Sequence, residues 1–359
     1  MIYFLSFIIV LGVPVFLHEL GHFLAAKSVG IRVEKFYVGF DFFNLGFKKK
    51  YRGTEYGIGL FPMGGYVKVS GILDENMDMD SDGKPYEFRS KNVFQKVWFL
   101  SAGVIMNFIL AIIIFTSFTF FQGSKIALES PIINEVAINS PADKIGLQTN
   151  DEILYVNNSK IDTFNDLRNI IEPNFNRELT IIWNRNDITY NAKIIPEEQT
   201  IFKTEKGFYP VGIIGVSAYY EEVEKDFLSS LYDGLNQTQH WIYMFAYSLS
   251  SVVTGEVSFN QLAGPIGIGK IAGDTAQSGG ILALIYLMAL ISINLGIINI
   301  LPLPVVDGGH VVIAIIEGVM QREIPLKIKY YIQITGSIFL MSLFIFVFAN
   351  DIYRLIFLP

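Results

Sequence analysis

The chain has 359 residues, 51% of them hydrophobic and 17% charged, with a mean hydropathy of +0.41. That charged share falls below the quarter or so usual in soluble domains and indicates a polytopic membrane protein with a modest soluble part. The absence of cysteine excludes disulfides, zinc–thiolate sites and thiol catalysis, and a net charge of −7 with scattered basic residues argues against nucleic acid as a partner.

The first expected element is a spanning helix over residues 1–26. Residues 2–17 carry no charge, and His18-Glu19-Leu20-Gly21-His22 follows at once. Histidines four apart on a helix share a face, about one turn apart, and can close on one metal ion. Zn²⁺ accepts two such imidazoles with a third protein ligand and keeps a position open for water. A glutamate beside the first histidine is placed to take a proton from that water. The bland alternative is a pair of ordinary helix histidines, but the chain holds only four histidines and ionisable groups within a span usually mark function. Pro14, one turn before His18, predicts a loosened helix there. A cleavable signal peptide does not fit, because no basic region precedes the apolar run.

Residues 27–92 form a polar loop dense in Lys and Arg, including Lys48, Lys49 and Lys50, which the positive-inside rule assigns to the cytoplasm. Within it, 56–69 is glycine-punctuated and aromatic and predicts short strands joined by a tight turn, a membrane-associated β-hairpin region. Beside a membrane active site such an element offers an edge to an extended peptide around Gly59, Gly64 and Gly65. The competing reading is a small structural hairpin. A second span lies at 97–121, within a segment 93–121, where Gly103 and Asn107 sit four apart and suggest helix–helix contact.

From 128 to 196 the pattern is that of a soluble α+β domain. Strands are expected at 132–136 and 152–157, a short helix from Ser140, and a helix through Ile171 capped by Thr163 with Asp166 three residues on. Residues 197–280 read as connecting strands, then an interfacial amphipathic helix at 227–253 with a re-entrant helix as runner-up, then a glycine-rich hinge or loop at 262–269. The third span is 281–303, in a segment 281–330 that includes Asn294 and Asn299. Two prolines then break the helix before Asp307, the sole acid between Asp274 and Glu317. A buried lone carboxylate needs a cationic partner, and zinc suits it. His310 reads as a second-layer donor or a helix-start residue. The fourth span is 332–349, within 331–359. Four spans put both termini and the soluble domain opposite the basic loops.

These pieces resemble the site-2 protease family of intramembrane zinc metalloproteases, close to the bacterial regulator of sigma-E proteases. The matching motifs are HELGH at 18–22, YGIGLFPMGGYVKV at 56–69, SAGVIMNF at 101–108, GPIGI at 264–268 and NILPLPVVDGGH at 299–310. The resemblance implies a bacterial inner-membrane, multi-pass enzyme of about four transmembrane helices, with one extracytoplasmic PDZ-like α+β domain. It implies zinc on His18, His22 and Asp307, Glu19 as base, and Asn294 and Asn299 as holders of the substrate backbone. Single-span membrane proteins of the anti-sigma-factor type and remnant signal peptides are the implied substrates. A peptide ligand for the PDZ-like domain is implied too, in a groove expected between 132–136 and 163–171. There is room for one such domain where well-known members carry two, and Gly103-Val104 stands where Gly-Pro is common. The competing reading is a PDZ-bearing membrane scaffold with an inactive or structural metal site. A metal transporter, weaker still, predicts more intramembrane carboxylates than Asp307.

Overall fold

The computed structural model describes residues 1–41, 46–59, 61–71, 84–203, 207–257 and 263–357, so Leu60, Leu262 and the middle of the first basic loop lie outside the described residues. The chain begins with α1 (Ile2–Ser28), β1 (Val33–Phe40), β2 (Phe47–Tyr51), β3 (Thr54–Ile58), β4 (Phe61–Val69) and α2 (Val93–Gln122). Then come β5 (Ser124–Ala127), β6 (Ile133–Val136), α3 (Pro141–Lys144), β7 (Glu152–Val156), β8 (Ser159–Lys160), α4 (Phe164–Ile171), β9 (Leu179–Arg185) and β10 (Ile188–Ile194). They are followed by β11 (Glu197–Lys203), β12 (Gly207–Ile213), β13 (Val216–Ala218), β14 (Tyr220–Val223), α5 (Phe227–Thr254), α6 (Pro265–Ile300), α7 (Asp307–Met320) and α8 (Leu326–Phe357). Two units result, Met1–Ser117 with Leu231–Pro359, and Phe118–Ser230.

In the first unit α1, α2, α6 and α8 are, among the described residues, four helices long and apolar enough to cross a membrane. The protein is therefore a multi-pass membrane protein. α1 stays helical through Pro14, where a loosening was expected. A core of Ala26, Ile31, Val33, Val69, Phe99, Leu100 and Ala314 ties α1, the sheet, α2 and α7 together.

The glycine-rich segment from Gly264 corrects an expectation. It is the start of α6 and not a hinge. Pro265 occupies the first helical position, where its missing N–H costs nothing. The free amides of Gly264 and Gly267 donate to the two oxygens of Asp351 on α8, at 3.0 and 2.9 Å. A cap supplied by another helix is invisible in the local pattern. The interruption falls instead at Gly280, whose φ of 65° only glycine adopts at little cost. α6 ends at Ile300, just before Leu301 and Pro302, as expected where a proline disfavours helix in the residue ahead of it.

The sheet of the first unit has the order β2-β3-β1-β4. β3 and β4 thus do not pair with each other. β1 lies between them, parallel to β3 and antiparallel to β4. The hairpin of this region is β2–β3, turned at Arg52 and Gly53, both with positive φ. Gly57 is needed at its position, because a Cβ there would strike the ring of Tyr37.

The second unit is an α+β domain. A sheet of order β10-β9-β7-β8 packs with α4 around Ile133, Ile153, Leu167, Ile181, Trp183 and Ile214. Burying each such side chain contributes about 1.5–3 kcal/mol. Thr163 caps α4 by a reciprocal box, Asp166 N–H donating to Thr163 Oγ1 at 3.1 Å and Thr163 N–H to Asp166 Oδ2 at 2.8 Å. The core does not stop near Pro196: β13 pairs with β6, and Ala218 is buried. β5 and β14 pair at the two ends of the domain. A groove was expected between β6 and α4, and a cavity does border α4. A cavity of about 470 Å³ is lined by α4 and the 211–216 segment, with Gln199, Ile201 and Lys203 along one wall. β6 does not line it, whereas Val216 of β13, its partner strand, does.

Candidate active site

α1 carries His18 and His22 one turn apart, 7% and 6% exposed. Their Nε2 atoms are 3.2 Å from each other. Asp307 meets them from the first turn of α7, with Oδ2 at 3.1 Å from His18 Nε2 and 3.3 Å from His22 Nε2. The backbone that delivers it is tightly folded. A Cβ on Gly308 would strike the carbonyl oxygens of Ile300 and Leu301, and one on Gly309 that of Leu303. Gly336 of α8 lies against the ring of Pro304 and steadies the same loop.

The second ring nitrogens show what the first are for. His22 Nδ1 donates to the Phe99 carbonyl at 2.8 Å, which leaves Nε2 of the neutral ring bare. Three lone pairs at 3.1–3.3 Å repel one another unless a cation sits among them. Two ligands on a tetrahedral zinc are about 3.3 Å apart, from metal–ligand bonds of about 2.05 Å. Asp307 Oδ2 is buried without a hydrogen-bond donor. Donor set, spacing and that orphaned oxygen all fit zinc, and among the described residues these three groups could hold it.

α2 shapes the site in a way the sequence reading missed. A Cβ on Gly103 would strike His22 Nε2 and reach within 2.6 Å of His18 Cε1. One on Gly21 would strike the Ala102 carbonyl. The two helices cross where neither has a side chain. Asn107, read only as a packing residue, is fully buried with Nδ2 placed 3.2 Å from His18 Nδ1. The available signal was its register: Phe99, Gly103 and Asn107 lie on one face of a helix, opposite the histidine pair.

Glu19 faces β4. A Cβ on Gly65 would come within 3.0 Å of Glu19 Cγ and 2.8 Å of the Tyr37 carbonyl, so the strand approaches the glutamate at a glycine. Gly64 has φ 102°, and the Gly59 N–H donates to the Val38 carbonyl at 2.8 Å. The Tyr37 ring stacks on Tyr66 at 5.1 Å and its hydroxyl donates to Glu55 at 2.6 Å. Burial, then the Glu55 carboxylate, hold the Tyr37 phenol well above its ordinary value. Asn294 and Asn299 are half-buried on α6. Five residues apart, they point about 140° away from each other around the helix. Among the described residues, neither hydrogen-bonds to the histidines or to Asp307. His310 lies in the first turn of α7 beside a small cavity with Glu317 and Lys329.

A family model described as Peptidase family M50 matches residues 6–343. The chain belongs to that family. A candidate zinc metalloprotease of Campylobacter jejuni is 33% identical to this M50 chain, over 98% of it and 94% of its own length. Zinc metalloprotease RasP of Geobacillus kaustophilus is 28% identical over 98% of this chain and 97% of its own. Among solved structures, the PDZ domain of an SdrC-like protein from Listeria monocytogenes overlaps 26% of the chain and 93% of that domain at 14% identity, with a TM-score of 0.20. With the family established and the ligand triangle in place, this M50 member is a membrane-embedded zinc metalloprotease.

Proposed function

We propose that the enzyme cleaves single-span membrane proteins within or next to their transmembrane segment, remnant signal peptides and anti-sigma-factor-type proteins being the fitting substrates. The observation that carries this reading is that His18 and His22, on a helix apolar enough to span, meet Asp307 from the start of α7, with Glu19 and the β4 strand beside them. His18, His22 and Asp307 would hold zinc, which when bound would act as a Lewis acid on water near neutral pH. Glu19 takes the proton of the attacking water and returns one to the departing amine. Gly65, having no side chain, lets the β4 backbone come up against Glu19.

A helical substrate must unwind, since helical carbonyls are already hydrogen-bonded. The two edges of the sheet differ in their fitness to receive it. β2 is wholly exposed and carries Lys48, Lys49 and Lys50, the charges that blunt a strand edge. β4, at the other edge, carries Gly64 and Gly65 and abuts Glu19, so it is the edge for strand addition. Asn299 shares the face of α6 with buried Ser292 and completes the substrate cradle better than Asn294 does. The basic loops face the cytoplasm, and the α+β domain, read as PDZ-like, lies outside it with its α4 groove open to a peptide. A scaffold has no use for a glutamate held between two ligands.

Glu19→Gln keeps the ligands and removes the base. Purified protein of this variant should retain one zinc and lose cleavage of a transmembrane peptide by about 10²–10⁴-fold. Undiminished cleavage would remove Glu19 from its role, and zinc-free wild-type protein would remove the metal site.

A further inference from the structure

The contact between α2 and His18 carries an inconsistency that one change resolves. Asn107 Nδ2 faces His18 Nδ1 at 3.2 Å, while Asn107 Oδ1 is buried with no partner. His18 Nε2 points into the ligand triangle. To offer a lone pair there, the neutral ring must carry its proton on Nδ1. That N–H would then face the two hydrogens of an amide nitrogen, donor against donor, away from solvent. Amide oxygen and nitrogen are nearly identical in size, and their assignment follows the hydrogen-bond network. Turning the amide end for end puts Oδ1 opposite the His18 N–H. The orphaned acceptor and the donor clash vanish together.

We propose that Asn107 is a positioning residue that accepts a hydrogen bond from His18 Nδ1–H and so holds His18 in its metal-binding tautomer. His22 is the internal parallel: its Nδ1 faces the Phe99 carbonyl, which can only accept. One face of α2 thus presents two acceptors, Phe99 O and Asn107 Oδ1, with side-chain-free Gly103 between them. The acceptors stand opposite His22 and His18 in turn and enforce the same tautomer on both. Asn107 is itself held from a third helix, Ser292 Oγ of α6 donating to its backbone carbonyl at 2.9 Å, and both residues are fully buried. Partners behind metal-ligating histidines usually raise ligand basicity and fix ring orientation.

The inference rests on the zinc reading and is separable from it by zinc titration against a competing chelator, with full-length protein in detergent. Asn107→Leu, close in shape but without an acceptor, should weaken zinc retention by about 10–100-fold. Asn107→Asp keeps an acceptor in the same place and should hold zinc within a few-fold of wild type. If Asn107 were instead a donor to His18, Asn107→Asp would fail as badly as Asn107→Leu, and that result overturns the proposal. So does Asn107→Leu with unchanged zinc affinity. Should Asn107→Leu not fold, the Asp variant and ¹⁵N-histidine spectra of zinc-loaded wild type decide alone, a protein with four histidines being tractable. A His18 signal with Nδ1 protonated and hydrogen-bonded is expected, and one with Nδ1 bare overturns it. Wild-type protein that binds no zinc overturns the metal reading itself.

Discussion

In the α+β domain Asp151 is shut away from solvent, and Arg185 grips both of its oxygens, at 2.6 and 2.7 Å, with Gln148 N–H adding a third bond at 2.8 Å. Around His18 and His22 the polar atoms are also buried, yet Asp307 Oδ2 has no donor and three lone pairs face one another. The first arrangement is complete within the chain. The second is complete only with a cation. Their surroundings differ in the same sense. The domain gains stability from large apolar side chains taken out of water, the membrane unit from backbones brought close at glycines. Removing atoms should therefore harm the first region, and adding them the second.

Asp151→Ala tests the first half most severely. It takes the carboxylate from the Arg185 guanidinium, which keeps only the Gly146 carbonyl and the Tyr190 ring, and losing these charge-assisted hydrogen bonds costs about 1.5–3 kcal/mol. The domain should melt early by thermal unfolding, while zinc content and cleavage of a transmembrane peptide without an ectodomain stay near wild type. Loss of zinc with the domain would show that the two regions do not stand apart, and that the domain serves chemistry as well as access.

Gly103→Ala reverses the logic. One added methyl falls on the imidazoles, and displacing reacting groups by about 1 Å costs about 100-fold in rate. Cleavage and zinc content should both drop while the helical signal in circular dichroism is preserved. A Gly103→Ala enzyme with full zinc and full rate would mean that the α1–α2 crossing has slack.

The smallest effect expected is at the α4 cap. Thr163→Ala should cost the domain about 1 kcal/mol. The Thr163 hydroxyl and N–H hold the Asp166 carboxyl below its usual value, so its contribution is complete above the unfolded-state value of about 3.9 and is lost as pH falls through the lower folded value. In Thr163→Ala that acid limb should flatten. Urea melts at pH 3 and pH 6 on both proteins would show it, and an unchanged pH difference would mean the box contributes nothing in solution.

Much of this was legible before any coordinates. The HELGH pentapeptide carries its own geometry, because helical spacing alone puts both imidazoles on one face. The four apolar runs, and the Thr163–Asp166 box, are likewise local. The lone Asp307 was legible by electrostatics, as a carboxylate in an apolar stretch wants a cation. What misled were features whose partner is remote. The segment from Gly264 looks like a hinge until Asp351, 87 residues on, caps it. The stretch at 56–69 looks like a hairpin until β1 inserts between its strands. The α+β domain looks finished near Pro196 until β13, beyond that point, pairs with β6.

The chain by itself determined the candidate metal ligands, the membrane spans and the capped helix, each through spacing along one element or through the cost of burying charge. Tertiary structure alone decided that Asp307 reaches the histidines and that Gly103 clears room for them. It also decided that Asn107 stands behind His18, and that Gly65 lets β4 pack against Glu19. These are meetings between elements, set by how closely backbones can approach. No periodicity within one segment records which glycine will face which side chain.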